Sequence, residues 1–133
     1  MASIFTRIIQ GEIPCYKVAE TEQFLAFLDI RPQAKGHTIC IPKQEIDYIF
    51  DMDDDLLAGL MLFSKKVAKA LRDTVPCARI GVTVIGLEVP HTHIHLLPIN
   101  SLSDMTFAGQ AKVVMEGAEL QALAAEIAAK VAL

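Results

Sequence analysis

The stretch Pro90-His91-Thr92-His93-Ile94-His95-Leu96-Leu97-Pro98 contains three of the four histidines in the chain. Because alternate side chains of a β-strand point to the same face, this spacing predicts a strand over residues 91–99 with all three imidazoles on one face. Neighbouring imidazoles are then expected to lie roughly 7 Å apart, which is two strand rises. The pattern places a central ring, His93, between two others.

Three interpretations of this histidine face are open. In the first, it is a solvated strand surface that happens to carry histidines. In the second, the His-x-His spacing supplies neutral imidazole ligands to zinc or another divalent ion. In the third, a neutral central imidazole attacks phosphorus while its neighbours neutralise the phosphoryl oxygens. A reference pKa of about 6.5 lets neutral and charged imidazoles coexist near neutral pH.

The rest of the chain predicts an α+β fold around this strand. Helical spacing of apolar residues predicts one helix over residues 53–71, capped by Asp51 or Asp53, and a second from about residue 116 to 133. Alternating patterns and turn residues predict the remaining strands. These strands cover residues 15–20, 24–30, 37–41 and 79–85. The predicted architecture is an antiparallel sheet of about five strands with two helices.

Composition excludes several classes of protein. The 133 residues suit a single domain, 1–133, and 53% apolar residues exclude a disordered chain. A net charge of −4 without a basic run argues against a nucleic-acid partner, and no apolar run is long enough to cross a membrane. The first ten residues lack a signal-peptide pattern, so a cytoplasmic location is predicted. Three widely spaced cysteines argue against a disulfide framework.

Several blocks of the sequence resemble the histidine triad (HIT) family. The triad segment alternates histidine with mostly apolar residues, as the signature of that family does. In the family order it follows the blocks Ile4-Phe5, Ile8-Ile9, Gly11-Glu12-Ile13-Pro14, Ala26-Phe27-Leu28-Asp29-Ile30-Arg31-Pro32 and Gly36-His37-Thr38-Ile39-Cys40-Ile41-Pro42-Lys43. The resemblance covers residues 4–98 and is closest to the small nucleotide-binding branch that includes HINT-type phosphoramidases.

This resemblance implies a purine nucleotide hydrolase or transferase that cleaves a bond to the α-phosphorus, and no cofactor is predicted. It implies that His93 is the nucleophile and forms a nucleotidyl-histidine that water hydrolyses. His91, His95 and His37 would assist phosphate binding and proton transfer. Asp29 would accept the ribose hydroxyls, since a carboxylate has the acceptors for that. The other implied nucleotide-site residues are Ile4, Phe5, Ile8, Phe27, Ile30, Gly86 and Glu88. Without the resemblance, the apolar members would be assigned to the core.

The segment before the triad departs from the family pattern. The family commonly has an Asn and then Gly-Gln-Ser/Thr/Glu there, and the Gln and its successor contact the phosphate. Here Leu87 stands at the Gln position, Glu88 follows, and residues 79–85 hold no Asn. Loss of one oxyanion donor can lower a rate by roughly two to three orders of magnitude, although backbone N–H groups around Gly86 could compensate. The alternative function is therefore a nucleotide-binding regulatory module with little turnover.

The metal and partner predictions also follow from the resemblance. Many bacterial relatives bind zinc through Cys-x-x-Cys at the opening and a His after Pro-Lys. Ser3, Thr6 and Glu45 stand at these positions and supply no thiolate, so no structural zinc is predicted. Family members are usually homodimers whose sheets join across a two-fold axis. The predicted partners are thus a purine nucleotide and a second copy of the chain.

Overall fold

The computed structural model describes residues 2–107 and 109–133, which form a five-stranded antiparallel sheet with three α-helices. In chain order the elements are α1 (Ile4–Ile9), β1 (Lys17–Glu20), β2 (Phe24–Leu28), β3 (Thr38–Pro42), α2 (Asp54–Thr74), β4 (Arg79–Thr83), β5 (Ile94–Ile99) and α3 (Gly117–Ala128). The predicted α+β fold is confirmed. Met1 and Ala108, which fall within the predicted domain 1–133, lie outside the described residues.

The strand order places the triad strand inside the sheet. The strands lie in the order β1-β2-β3-β5-β4, and all neighbouring pairs are antiparallel. Phe27 of β2 lies opposite Ile39 of β3, which in turn lies opposite His95 of β5. Thr83 of β4 flanks His95 on its other side. This register fixes His95 between two strands, where its backbone cannot shift independently.

Alternate residues of the central strands divide the sheet into two apolar faces. One face packs on α2 and α3, and its buried strand residues include Phe24, Ala26, Leu28, Cys40, Ile94 and Leu96. The other face holds a smaller apolar cluster composed of Leu25, Phe27, Ile39, Ile41 and Phe5 of α1. The alternation predicted for residues 24–30 is therefore confirmed over Phe24–Leu28, but β2 ends at Leu28, two residues earlier than predicted. The face with the smaller cluster continues into the histidines, so that α1 and the candidate site share one side of the sheet.

The long helix α2 begins at one of the two predicted caps. The carboxylate of Asp53 accepts the N–H of Leu56 at 2.8 Å, which satisfies a donor that the first helical turn leaves unpaired. The second predicted helix is shorter than expected, because α3 ends at Ala128 rather than at residue 133. Among the described residues, no helix combines the length and the apolar character that crossing a membrane requires.

Helix α1 is a third helix that the sequence pattern does not predict. It has only six residues, too few to show a helical repeat of apolar positions. Its start is fixed by Ser3, whose hydroxyl accepts the N–H of Thr6 at 3.0 Å. Phe5 anchors it to the sheet through edge-to-face contact with Phe27, at 5.6 Å between ring centroids.

Strand β5 starts later than predicted, at Ile94 rather than His91. The residues before it bond to the loop after β3 instead of to a neighbouring strand. The N–H and the hydroxyl of Thr92 both donate to the carbonyl of Ile46, each at 2.7 Å. The prediction of three imidazoles on one regular strand face is therefore wrong, since only His95 lies within the strand.

Candidate active site

Three of the four histidines form a compact buried cluster. The ring centroid of His95 lies 4.8 Å from that of His93 and 5.1 Å from that of His37. The 4.8 Å separation is shorter than the predicted 7 Å, because His93 precedes the strand and follows its own backbone course. The fourth ring, His91, lies on the α1 side, 5.8 Å from the ring of Phe5. The cluster is bounded by α1 on one side and by the loop between β2 and β3 on the other.

The hydrogen bond of His93 determines which nitrogen is free for chemistry. Nδ1 of His93 lies 2.7 Å from the carbonyl oxygen of His91. A carbonyl only accepts, so Nδ1 carries the proton, and in the neutral ring the lone pair resides on Nε2. Burial lowers the pKa of His93 below its usual value and keeps the ring neutral near pH 7. His93 therefore presents an unprotonated Nε2 in a fixed tautomer.

A second chain of hydrogen bonds fixes His37 and His95, here called the His37–His95 pair. The backbone N–H of Gln33 donates to Nδ1 of His37 at 3.0 Å, so the proton of that ring is on Nε2. Nε2 of His37 lies 2.9 Å from Nδ1 of His95 and donates to it. The neutral His95 ring then carries its proton on Nε2. The pair thus places an N–H donor on the ring adjacent to His93.

Asp29 lies at the end of β2, beside the His37–His95 pair. Its Oδ1 accepts the N–H of Arg31 at 2.8 Å, and its Oδ2 lies 3.7 Å from Nε2 of His37. Potential ligand atoms of Asp29, His37 and His95 all lie within 4.8 Å of one another, so this group is the metal candidate among the described residues. The bond from Gln33 places a proton on the nitrogen of His37 that faces this group, and a protonated nitrogen has no lone pair for a metal.

His91 is engaged at both ring nitrogens and is 0% exposed. Nε2 lies 2.8 Å from the carbonyl oxygen of Pro42, so it donates there. Nδ1 then accepts the hydroxyl proton of Ser3 at 2.8 Å. These bonds direct His91 away from the other histidines. Its contact with His93 is made through its backbone carbonyl.

Ser3, Thr6 and Glu45 form a polar clamp that secures α1 against His91. Oε1 of Glu45 accepts the backbone N–H of Ser3 at 2.7 Å and the hydroxyl of Thr6 at 2.6 Å. These two hydrogen bonds, with that of Thr6 the larger contribution, lower the pKa of Glu45 to about 2. The carboxylate of Glu45 therefore stays ionised at pH values around 7. The hydroxyl and carboxylate oxygens of Ser3, Thr6 and Glu45 are thus engaged in hydrogen bonds within the clamp.

The residues implied in base binding divide into buried and exposed members. The ring of Phe5 packs edge to face on His93, with ring centroids 4.9 Å apart, and Phe27 lies behind it. Ile8 is half-buried against the same cluster. Ile4 is exposed and Ile30 is 67% exposed, so both lie at the surface. The structure brings Phe5, Phe27 and Ile8 together in one apolar cluster beside His93.

The segment before the triad holds the predicted phosphate-side residues. Gly86 adopts φ +75°, a conformation that favours glycine, and it turns the chain between β4 and the triad. The side chain of Leu87 is 88% exposed and projects into solvent. Glu88 is also exposed, and its charge, like that of Asp29, opposes the effect of burial on the pKa of His93. Leu87 therefore places no apolar group against the buried histidines.

Phe107 is a site residue that the sequence reasoning missed. Its ring packs edge to face on His95 at 4.9 Å and on His37 at 5.6 Å between centroids. One signal was available, because Phe107 is the only aromatic residue after Phe63 in the chain. The contact itself joins segments far apart in sequence, and a pattern of neighbouring residues does not reveal it.

Burial shifts all four histidines in the same direction. It lowers the pKa of His37, His91, His93 and His95, and for His95 the value falls to about 3. In His95 the neighbouring imidazoles of His93 and His37 add to the effect of burial. The neutral rings are therefore the forms present around pH 7, in agreement with the tautomers that the hydrogen bonds assign.

These shifts predict that stability falls in mild acid. Unfolded histidines bind protons near pH 6.5, whereas the folded rings resist protonation. The contribution of the buried histidines to the free energy of unfolding is therefore present above pH 6.5 and is lost as the pH falls below that value. One such group costs about 1.4 kcal/mol per pH unit in that window. The free energy of unfolding in urea should thus be at least about 1 kcal/mol lower at pH 5.5 than at pH 7.5. A His95→Gln variant should lose less between these pH values, and equal stability of the wild type at both would contradict the shifts.

The sequence of this chain is similar to those of known proteins. The sequence model of the HIT domain matches residues 10–102. The adenosine 5′-monophosphoramidase HNT1 of Saccharomyces cerevisiae is 41% identical over 98 residues, which are 73% of this chain but only 62% of the yeast protein. The adenosine 5′-monophosphoramidase hnt1 of Schizosaccharomyces pombe is 33% identical over 132 residues, which are 98% of this chain and 99% of that protein.

A solved structure shows the same architecture over nearly the whole chain. It is a Hit-like protein from Bartonella henselae, described as involved in cell-cycle regulation and solved with an unknown ligand. It superimposes with a TM-score of 0.82 at 29% sequence identity, covering 96% of this chain and 95% of its own. The sheet and helices described above are therefore those of a known fold.

Proposed function

The chain belongs to the HIT family, and from this premise we propose that it hydrolyses purine nucleoside phosphoramidates at the α-phosphorus through a nucleotidyl-histidine on His93. Two yeast relatives carry the name adenosine 5′-monophosphoramidase, which supports this substrate class. The observation that carries the proposal is the fixed tautomer of His93. Its Nδ1 is bonded to a carbonyl, which leaves the lone pair on Nε2, and its ring centroid lies 4.8 Å from that of His95, whose Nε2 carries the proton.

In the first step, the lone pair on Nε2 of His93 attacks the α-phosphorus and the P–N bond of the substrate breaks. The electron pair leaves with nitrogen, which takes up a proton from solvent and departs as an amine. The imidazole becomes a cation bonded to phosphorus, and the Nδ1–H bond to the carbonyl of His91 strengthens as that charge develops. The nearby carboxylates of Asp29 and Glu88, which favour a positive His93, stabilise the same charge.

In the second step, water attacks phosphorus and the bond to Nε2 breaks. The lone pair returns to His93, and AMP leaves when the base is adenine. Over both steps, water supplies the oxygen that phosphorus gains, and the proton that this water releases to solvent replaces the one that the amine took up in the first step. The fixed tautomer is thus restored after each turnover, because the Nδ1–H remains on the carbonyl of His91 throughout.

The other histidines serve the nucleophile in different ways. His95 donates its Nε2–H to a phosphoryl oxygen, and His37 holds it in that tautomer. His91 has both ring nitrogens engaged, so we assign it a positioning role through its backbone carbonyl rather than direct phosphate contact. The clamp of Ser3, Thr6 and Glu45 maintains this arrangement from the α1 side.

The nucleoside binds along the wall that leads from α1 to the end of β2. Phe5, Ile8 and Phe27 offer an apolar surface to the base beside His93, and Ile4 and Ile30 border it from the surface. Asp29 follows that wall and accepts the ribose hydroxyls. Gly86 and Glu88 border the phosphate side, where backbone N–H groups near Gly86 replace the amide that Leu87 lacks.

Replacing Asp29 with alanine is expected to weaken ribonucleotides selectively. A hydrogen bond to a charged group contributes about 1.5–3 kcal/mol, so AMP binding should weaken about tenfold to a hundredfold. Binding of 2′-deoxy-AMP, which keeps only the 3′-hydroxyl, should weaken by a smaller factor. Asp29→Asn is the matched control, because it keeps an acceptor for the N–H of Arg31. Calorimetric titration with both nucleotides measures this, and equal losses would remove Asp29 from the ribose site.

The direct test of the activity is release of AMP from adenosine 5′-phosphoramidate by the purified protein, which we expect to observe. The regulatory module stays the alternative, because Leu87 supplies no hydrogen bond to phosphate. AMP binding without release would favour that alternative, and restored release in Leu87→Gln would then identify the missing amide as the cause.

We propose that the protein is a homodimer joined at the β4 edge of the sheet. β4 is an edge strand, and the exposed side chains of Val82 and Ile85 lie on it or directly after it. An unpaired antiparallel edge is a template for pairing with a second copy. Sedimentation equilibrium should give twice the chain mass of 14.5 kDa, and a mass of 14.5 kDa would contradict the dimer.

Two further predictions stay open to direct measurement. A cytoplasmic location is proposed from the sequence, and cell fractionation would test it. Absence of structural zinc is proposed because Ser3, Thr6 and Glu45 satisfy one another with hydrogen bonds. Elemental analysis that finds stoichiometric zinc in the purified protein would overturn the second prediction.

A further inference from the structure

Phe107 belongs to a C-terminal strap, here defined as residues 106–107 and 109–113, that follows β5 and returns to the site. Its half-buried ring belongs to neither apolar cluster among the described residues. Instead it packs edge to face on both rings of the His37–His95 pair, at interplanar angles of 74° to His95 and 85° to His37. The aromatic contacts of this side chain are therefore with the site rather than with the core.

The strap is also tied to the loop that orients His37. The backbone N–H groups of Lys112 and Val113 approach the carbonyl of Pro32 at 3.0 and 3.3 Å. The side-chain amide of Gln33 donates to the carbonyl of Gln110 at 3.0 Å. The backbone N–H of the same Gln33 donates to His37 and determines its tautomer. The strap thus contacts the pair directly through Phe107 and contacts, through hydrogen bonds, the loop that orients His37.

We propose that Phe107 is a positioning residue that holds His95 in the orientation and tautomer in which its Nε2–H meets the phosphoryl group. This inference rests on the proposed function and extends it to a segment that carries none of the histidines. The ring covers the pair on the strap side and keeps water from competing for Nδ1 of His95, which accepts from His37. Without that cover, His95 can exchange tautomers, and the exchanged form has no proton on Nε2.

The test compares Phe107→Ala, Phe107→Leu and Leu102→Ala with the wild type. Leu102 lies in the turn between β5 and the strap and is 92% exposed, so its truncation is the matched control. Imidazole ¹⁵N chemical shifts at pH 7.5 report the tautomer of His95, and AMP release reports kcat and KM. Phe107→Ala should mix the tautomers and lower kcat at least about tenfold, with KM changed less than about twofold.

Phe107→Leu keeps an apolar side chain over the pair and should restore both readouts most of the way. Leu102→Ala should match the wild type in both. Wild-type tautomer signals in Phe107→Ala would overturn the proposal, whether or not its kcat falls. An equal loss of kcat in Leu102→Ala would overturn it too. The ¹⁵N measurement needs no turnover, so it tests Phe107 even if the wild type releases no AMP and the proposed function fails.

Discussion

Replacing His93 with alanine is expected to lower the release of AMP from adenosine 5′-phosphoramidate by at least about 10³-fold. The variant loses the only nucleophile that the mechanism provides. The phosphate donor on His95 and the apolar wall with Phe5 remain in place, so AMP affinity should change less than about tenfold. A steady-state assay with titration of AMP separates the two effects.

The matched control for His93→Ala is His91→Ala. His91 contacts the nucleophile through its backbone carbonyl, which alanine keeps, while the bonds to Ser3 and Pro42 are lost. Activity should therefore fall less in His91→Ala than in His93→Ala, and stability should fall more, because a buried donor and acceptor lose their partner. The opposite order of activities would exchange the roles of the two residues.

Replacing Gly36 with alanine is expected to destabilise the protein by about 2–4 kcal/mol. Gly36 has φ +91°, a left-handed conformation that costs an L-residue about 1–2 kcal/mol. An added Cβ would also lie 2.9 Å from Cδ1 of Leu71 and 3.1 Å from Cγ2 of Val75. Both neighbours are buried in the core, so relief of the contact disturbs its packing. Because Gly36 precedes His37, activity should fall as well.

Gly11→Ala separates the backbone effect from the packing effect. Gly11 has φ +81°, but an added Cβ would meet no atom within 4 Å. The free energy of unfolding, measured in urea, should therefore fall by at least about 1 kcal/mol less in Gly11→Ala than in Gly36→Ala. A single transition, followed by circular dichroism, is expected for one domain over residues 1–133. Equal losses in both variants would show that the core tolerates the added methyl group.

Regular elements were predictable because their patterns are local. The alternation in residues 24–28 and the cap at Asp53 both appear in the sequence and in the structure. Helix α1 was not predictable, because its six residues depend on a clamp that includes Glu45, some forty residues away. The late start of β5 has a similar cause, since Thr92 bonds to Ile46 in a distant loop.

In the candidate site, too, features set by neighbouring residues were predictable, and features set by residues distant in sequence were not. Alternation of histidines indicated a central ring, and resemblance to the HIT family assigned its role. The tautomers were not predictable, because they depend on the carbonyl of His91, the N–H of Gln33 and the register that sets His37 beside His95. The place of Phe107 in the site was not predictable for the same reason, since its contacts form only where the strap returns to the sheet.

We expect Nε2 of His93 to form the covalent intermediate. The most direct measurement is a rapid quench of the wild type with adenosine 5′-phosphoramidate under conditions that preserve phosphohistidine, followed by peptide mapping in a mass spectrometer. We expect an adenylyl group on the peptide that contains residues 91–95, assigned by fragmentation to His93 and absent from His93→Ala. An adenylyl group on His91, His95 or His37, or its persistence in His93→Ala, would contradict this expectation.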